Sequence, residues 1–212
     1  MFRLVDRFVI YSFLIFTILV LVSIYYINAP LFAGEQTDLL KSKYELVKST
    51  VYLPSFYAHV YTSGLIILMG LFLLFERRRK RLPQIHKLVG KVSIILILGV
   101  SAPSGLLMSF YANGNFLAKL GFAVLAILWW LVTLKAFQAA KKRDWDIHEQ
   151  FAYRSFCLSF AAILLRFLSF VFATLGYRGE EVYTLIVWLS WVPSLVILEI
   201  WLRNKTSRMR VK

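Results

Sequence analysis

His148 and Arg166 stand 18 residues apart, five whole turns of an α-helix, the first at the start of a long run and the second deep in its apolar part. On a continuous helix both side chains share a face, about 27 Å apart along the axis. An imidazole can hold a proton or a metal near neutral pH. A guanidinium offers a permanent charge and a planar set of donors for carboxylate or phosphate oxygens. Placing an arginine at membrane depth costs from ~3 kcal/mol upward, so Arg166 must face protein or water. Two uses compete for it: tying helices together through carbonyls and hydroxyls, or binding an anion, a cofactor carboxylate or a proton path.

No acidic residue is expected at that depth, because Glu199 falls near the far end of the last apolar run and Glu180 and Glu181 in the loop before it. The guanidinium fork is therefore open to polar groups or a bound anion. Expected in the same half of the membrane are His59, with Tyr57, Tyr61, Thr62 and Ser63 around it, and Ser101-Ala-Pro-Ser104-Gly105, where Pro103 and Gly105 should kink a helix and free carbonyls. The first candidate site is His59, Ser104 and Arg166. A second lies at the opposite membrane surface and comprises His86, Lys87, Lys91, His148, Glu149 and Arg154. Two histidines at neighbouring helix starts suit a haem iron or a metal, and histidines beside basic residues equally suit lipid headgroups or helix caps.

Other chemistry finds no support. His148-Glu149 lacks a second histidine four residues after the first and is not a zinc motif. There is no phosphate loop, no nucleophile elbow and no intramembrane carboxylate pair, which removes the usual hydrolase and ATPase signatures. The single cysteine, Cys157, reads as a small buried hydrophobe. The leading expectation is a cofactor-binding redox or cofactor-handling protein, with haem b or a quinone as candidate. His86 and His148 would be axial ligands, and His59, Arg166, Ser104 and Arg154 would hold a polar or anionic group. The alternatives are a small transporter or channel with an anion site at Arg166, and a non-catalytic assembly or partner subunit.

The elements that must carry these residues are membrane helices. Of 212 residues, 59% are hydrophobic and 17% aromatic, and mean hydropathy is +0.68, above the range of soluble domains. Apolar runs predict an all-α polytopic bundle of six transmembrane helices in one domain, at about 8–27, 54–75, 88–110, 116–139, 153–175 and 182–202. The helices carrying the third and fifth spans start earlier, near His86 and Ile147. The first run resembles a signal peptide but is longer and lacks a small-x-small cleavage site. Residues 31 to 52 suit a short interfacial helix.

Charge then sets orientation. Of 25 Lys and Arg, 19 fall on the side shared by the N-terminus, the 76–91 and 135–154 loops and the C-terminal tail, and five on the other. Both termini are expected in the cytoplasm, with the protein in the cell membrane and its basic side on anionic headgroups. The basic residues cluster at helix ends rather than along one stripe, which argues against nucleic acid. A second copy of the chain or another membrane protein remains open as partner. An offset of 62 residues carries Ile85-His86 and Ser93 onto Ile147-His148 and Ser155, and Ser104 onto Arg166, which suggests a tandem duplication of hairpins two-three and four-five.

His86-Lys-Leu-Val-Gly90-Lys91, Pro103-Ser104-Gly105, Gly121-Phe-Ala-Val-Leu125-Ala126-Ile-Leu-Trp129, His148 with Arg154-Ser155, and Leu165-Arg166 together resemble a family of uncharacterised bacterial multi-pass membrane proteins. The resemblance covers about residues 55 to 170. Lys87, Lys91 and Glu149 stand where the family pattern has arginines. The resemblance implies a membrane protein and a set of residues, and no activity.

Overall fold

The computed structural model describes residues 50–74 and 82–210, with side chains to Lys205. Its elements are α1 (Tyr52–Leu74), α2 (Pro83–Leu96), a π-helical turn (Ile97–Ser101), α3 (Ala102–Phe110), α4 (Phe116–Lys141), α5 (Trp145–Ser159), α6 (Ala161–Thr174), α7 (Glu180–Leu189) and α8 (Val192–Arg210). There is no strand among the described residues. Five helical spans are long and apolar enough to cross a membrane: Tyr52–Leu74, Pro83–Phe110, Phe116–Lys142, Trp145–Thr174 and Glu180–Lys205. They correspond to the second to sixth helices expected from sequence. The first, 8–27, lies outside the described residues, as do nearly all of the 31–52 segment and the basic turn at 76–81. Pro54–Lys212 forms one unit and Met1–Leu53 another.

Local signals set most of the ends. Pro83 opens α2, where its missing N–H costs nothing. Asn115 caps α4 by accepting from Ala118 N at 3.1 Å, and Asp144 caps α5 by accepting from Ile147 N at 3.2 Å. Past α6, Gly176 takes φ 85°, the Tyr177 N–H reaches Phe172 O at 2.9 Å and the Gly176 N–H reaches Ala173 O at 3.2 Å. That pairing is a Schellman cap, which favours glycine at its left-handed position.

Three spans are interrupted near mid-membrane. In the π-turn the Ala102 N–H bonds Ile97 O, five residues back. The same register would give Leu98 O to residue 103, but Pro103 has no N–H. The Trp130 indole supplies the missing donor, bonding Leu98 O at 3.1 Å. In the fourth described span the Phe160 N–H is shared between Phe156 O and Cys157 O, and the Ser159 hydroxyl bonds back to Ser155 O at 2.8 Å, a contact that bends helices. In the last, Ser190 and Trp191 separate α7 from α8 just before Pro193.

The core joins Ile66, Ile97, Ala102, Trp129, Leu158, Ala161 and Trp191. Small residues on α4, among them Ala126, Ala136 and Ala139, are buried and admit close neighbours. Between α4 and α5, Thr133 Oγ1 and Ser155 Oγ share a hydrogen bond of 2.7 Å. The indole nitrogens of Trp129 and Trp191 are buried with no acceptor among the described residues. An unsatisfied buried donor costs about 1–3 kcal/mol, so Trp191→Phe, which keeps most of the ring and deletes the N–H, is expected to leave stability within about 1 kcal/mol of wild type or raise it. Thermal melting in detergent reads the effect, and a loss of several degrees would mean that the N–H has a partner.

Candidate functional site

Four elements converge near one end of the bundle, the end marked by the α3–α4 turn and Asn115. His59 lies seven residues into α1 and Arg166 eight residues before the end of α6, so both sit about 10–12 Å inside their helices. Tyr183 is in the first turn of α7. Ser101 closes the π-turn and is fully buried.

His59 is held from both sides of its ring. Its Nδ1 lies 2.8 Å from Ser101 O, and because a carbonyl only accepts, Nδ1 carries the proton. Ser101 Oγ lies 2.7 Å from Thr62 Oγ1 and 2.9 Å from Ser63 Oγ, so α1 and the π-turn are stitched by a polar seam. Gly105 makes room for the imidazole. A Cβ there would stand 2.8 Å from His59 Cε1 and 3.0 Å from Nδ1. Gly105→Ala should gain about 1 kcal/mol of helix propensity and lose about 1–3 kcal/mol to overpacking, a net destabilisation of about 1 kcal/mol. Unfolding in detergent should show that loss, and its reversal when His59→Ala is added; a Gly105→Ala chain as stable as wild type would mean that the ring moves freely.

Arg166 donates from Nη1 to Ala162 O on its own helix at 3.0 Å, and among the described residues it has no other side-chain hydrogen bond and no ion pair. Its charge acts on His59 across the gap to α1 and on Tyr183 on α7. The Tyr183 ring packs beside Phe122, with centroids 6.4 Å apart, and its hydroxyl makes no hydrogen bond among the described residues. The result is a half-buried guanidinium within electrostatic reach of an imidazole and of a phenol, with most of their hydrogen-bonding capacity unspent among the described residues.

The second candidate cluster is organised differently. His148 directs Nδ1 to Ala136 O at 2.9 Å, and its ring meets Trp145 edge-on. His86 occupies the fourth position of α2, as His148 does of α5, but His148 makes no contact with it. Arg154 forms a two-bond fork with Glu199, Nε to Oε1 at 2.5 Å and Nη2 to Oε2 at 2.9 Å, and lies over the Phe151 ring. Lys205 bonds Glu149 at 2.8 Å. These pairs link α5 to α8. No group of three or more metal-ligating side chains occurs among the described residues.

Residues 56–202, more than two thirds of the chain, match the family described as "Predicted membrane protein (DUF2306)". The chain belongs to this family. The matched stretch contains every residue of both clusters, and the family's description assigns membrane character and no activity. No curated protein matches the chain, and no solved structure does.

In this DUF2306 member the structure brings together two of the three residues expected at the first site, His59 and Arg166. Ser104 turns away, its hydroxyl bonding Val100 O at 2.6 Å and Ser101 O at 3.1 Å within its own helix. A serine hydroxyl within a helix readily bonds back to the carbonyls three and four residues before it, and this satisfies Ser104 locally. Tyr57 and Tyr61 stack on each other, centroids 6.0 Å apart. Tyr183 was not expected. Its only signal in the sequence is its place in the first turn of the last span.

Proposed function

We propose that this membrane protein binds a lipid-soluble molecule with an oxygen-bearing head at Arg166, with His59 and Tyr183 completing the site. The observation that carries the reading is the guanidinium itself. An arginine that tied helices together would bond across to a neighbour, whereas Arg166 makes one hydrogen bond, to its own helix, and meets no carboxylate among the described residues. Its unused donors suit an anionic oxygen or a polarised carbonyl. On the charge bias of the sequence, the Arg154 end faces the cytoplasm and the Arg166 site lies in the outer half of the cell membrane. The reading covers quinone handling and anion transport alike, because both need such a site.

Direct binding tests it. Decylubiquinone or decylubiquinol added to the purified chain in nanodiscs should quench tryptophan fluorescence with a saturable, micromolar midpoint. Arg166→Gln should weaken binding at least about tenfold, the effect of one lost charge-assisted hydrogen bond. Equal binding by wild type and Arg166→Gln, or no binding by either, overturns the proposal. Transport is a separate arm: anion flux in proteoliposomes, lost in Arg166→Ala and retained in His148→Ala, would make the site part of a path.

A haem reading draws on the other end. The His148 Nδ1 bond to Ala136 O leaves Nε2 for a ligand, the orientation second-shell carbonyls impose on metal-bound histidines. His86 lies at the same helix position on a parallel helix, as a duplicated hairpin would place it. Two further features support that duplication: Ser93 and Ser155 each bond the preceding helix, at Met69 and Thr133, and the second helix of each hairpin is interrupted, at Ile97–Ser101 and Phe160. Reduced b-type bands abolished by His148→Ala would establish haem ligation, and a colourless protein from haem-replete cells would remove it.

A further inference from the structure

We infer that the ligand of the Arg166 site presents a hydroxyl hydrogen and that His59 Nε2 accepts it, which selects a quinol over a quinone. The inference rests on the reading of Arg166 as a ligand-binding residue and goes further by naming the ligand's donor group.

The tautomer decides it. Ser101 O fixes the His59 proton on Nδ1, so in the neutral ring Nε2 carries a lone pair and no hydrogen. That lone pair has no donor among the described residues, where the Ser101 contact is the only hydrogen bond of the His59 side chain. The tautomer is built into the backbone. The π-turn ends at Ser101, buried Ser101 Oγ is locked by Thr62 and Ser63, and Gly105 leaves the ring space to lie against α3.

Arg166, whose charge reaches His59, and Tyr183, which lies within reach of that same charge, are of opposite kind to that lone pair. Arg166 only donates, and the Tyr183 hydroxyl donates or accepts. A ligand that satisfies both sides therefore gives a hydrogen bond to Nε2 and receives them from Arg166 through the same or an adjacent oxygen. A quinol hydroxyl does both. Quinone carbonyls, carboxylates, phosphodiesters and fully deprotonated inorganic anions offer acceptors alone, which serve Arg166 and leave Nε2 unsatisfied. A depth of about 10–12 Å from the helix ends selects a molecule that dissolves in lipid. The step is one of recognition: a proton is shared between oxygen and nitrogen, and no electron is transferred.

The test compares decylubiquinol, kept reduced under argon, with decylubiquinone on the full chain in nanodiscs. Wild type should bind the quinol at least about tenfold tighter, the effect of one hydrogen bond gained at a partly buried acceptor. His59→Asn keeps an amide N–H near the Nδ1 position, and so the Ser101 contact, but has no atom at Nε2; quinol and quinone should then bind within about twofold of each other. His59→Gln, which returns an acceptor near Nε2, should restore part of the preference. Arg166→Gln should weaken both forms. Equal affinities in wild type, or a preference unchanged in His59→Asn, overturn this inference while a loss of both forms in Arg166→Gln leaves the Arg166 site standing. If neither form binds wild type, both proposals fall.

Discussion

Arg166→Leu is expected to make the protein more stable and unable to bind its ligand. An arginine inside the membrane costs ~2.5–3.5 kcal/mol on insertion scales, and leucine at the same depth is favourable. Against that, Arg166 returns one hydrogen bond, to Ala162 O at 3.0 Å. A net stabilisation of about 2 kcal/mol follows, which corresponds to a rise of roughly 5 °C in melting temperature for a unit of this size. The measurement is thermal or SDS-induced unfolding of the two chains in the same detergent. A leucine variant less stable than wild type would identify Arg166 as a structural tie. Stability given up at one position and regained on its removal is what a binding residue shows.

The opposite sign is expected at the other arginine. Glu199→Ala removes both oxygens of the fork on Arg154, whose side chain is 17% exposed, and leaves a guanidinium unpaired between α5 and α8. Breaking a fully buried pair costs about 3–5 kcal/mol; the Glu199 side chain is 36% exposed, and water or headgroups recover part of that, so about 2 kcal/mol is expected. Joint replacement, Arg154→Met with Glu199→Leu, should regain most of the loss, because the apolar pair leaves no charge to solvate. A double-mutant cycle gives the coupling directly. A single variant as stable as wild type would show the pair to be a surface contact. Arg154, expected from sequence to hold a cofactor group, thus has its fork occupied by Glu199. Spacing could not show this, because the partner is 45 residues away and the pairing exists only once the last two spans pack.

What the sequence by itself determined is everything governed by local free energy. Twenty apolar residues in a row have few alternatives in a bilayer, so the spans beginning near residues 54, 88, 116, 153 and 182 were legible from hydropathy. Pro83, Asn115, Asp144 and Gly176 marked ends through their own backbone chemistry. Pro103 announced a disturbed helix. Whether His148 and Arg166 share a face was not readable, because the inference needs an unbroken helix and the Ser159 back-bond with the shared Phe160 N–H interrupts it. Tertiary structure decided the rest: that Ser101 rather than Ser104 meets His59, that Trp130 fills the carbonyl Pro103 leaves open, and that Tyr183 joins Arg166. Each of those depends on the rotation of one helix against another. Rotation is set by how small residues and shared hydroxyls such as Gly105, Ala136 and Thr133–Ser155 fit together, and hydropathy along one chain carries no trace of that fit.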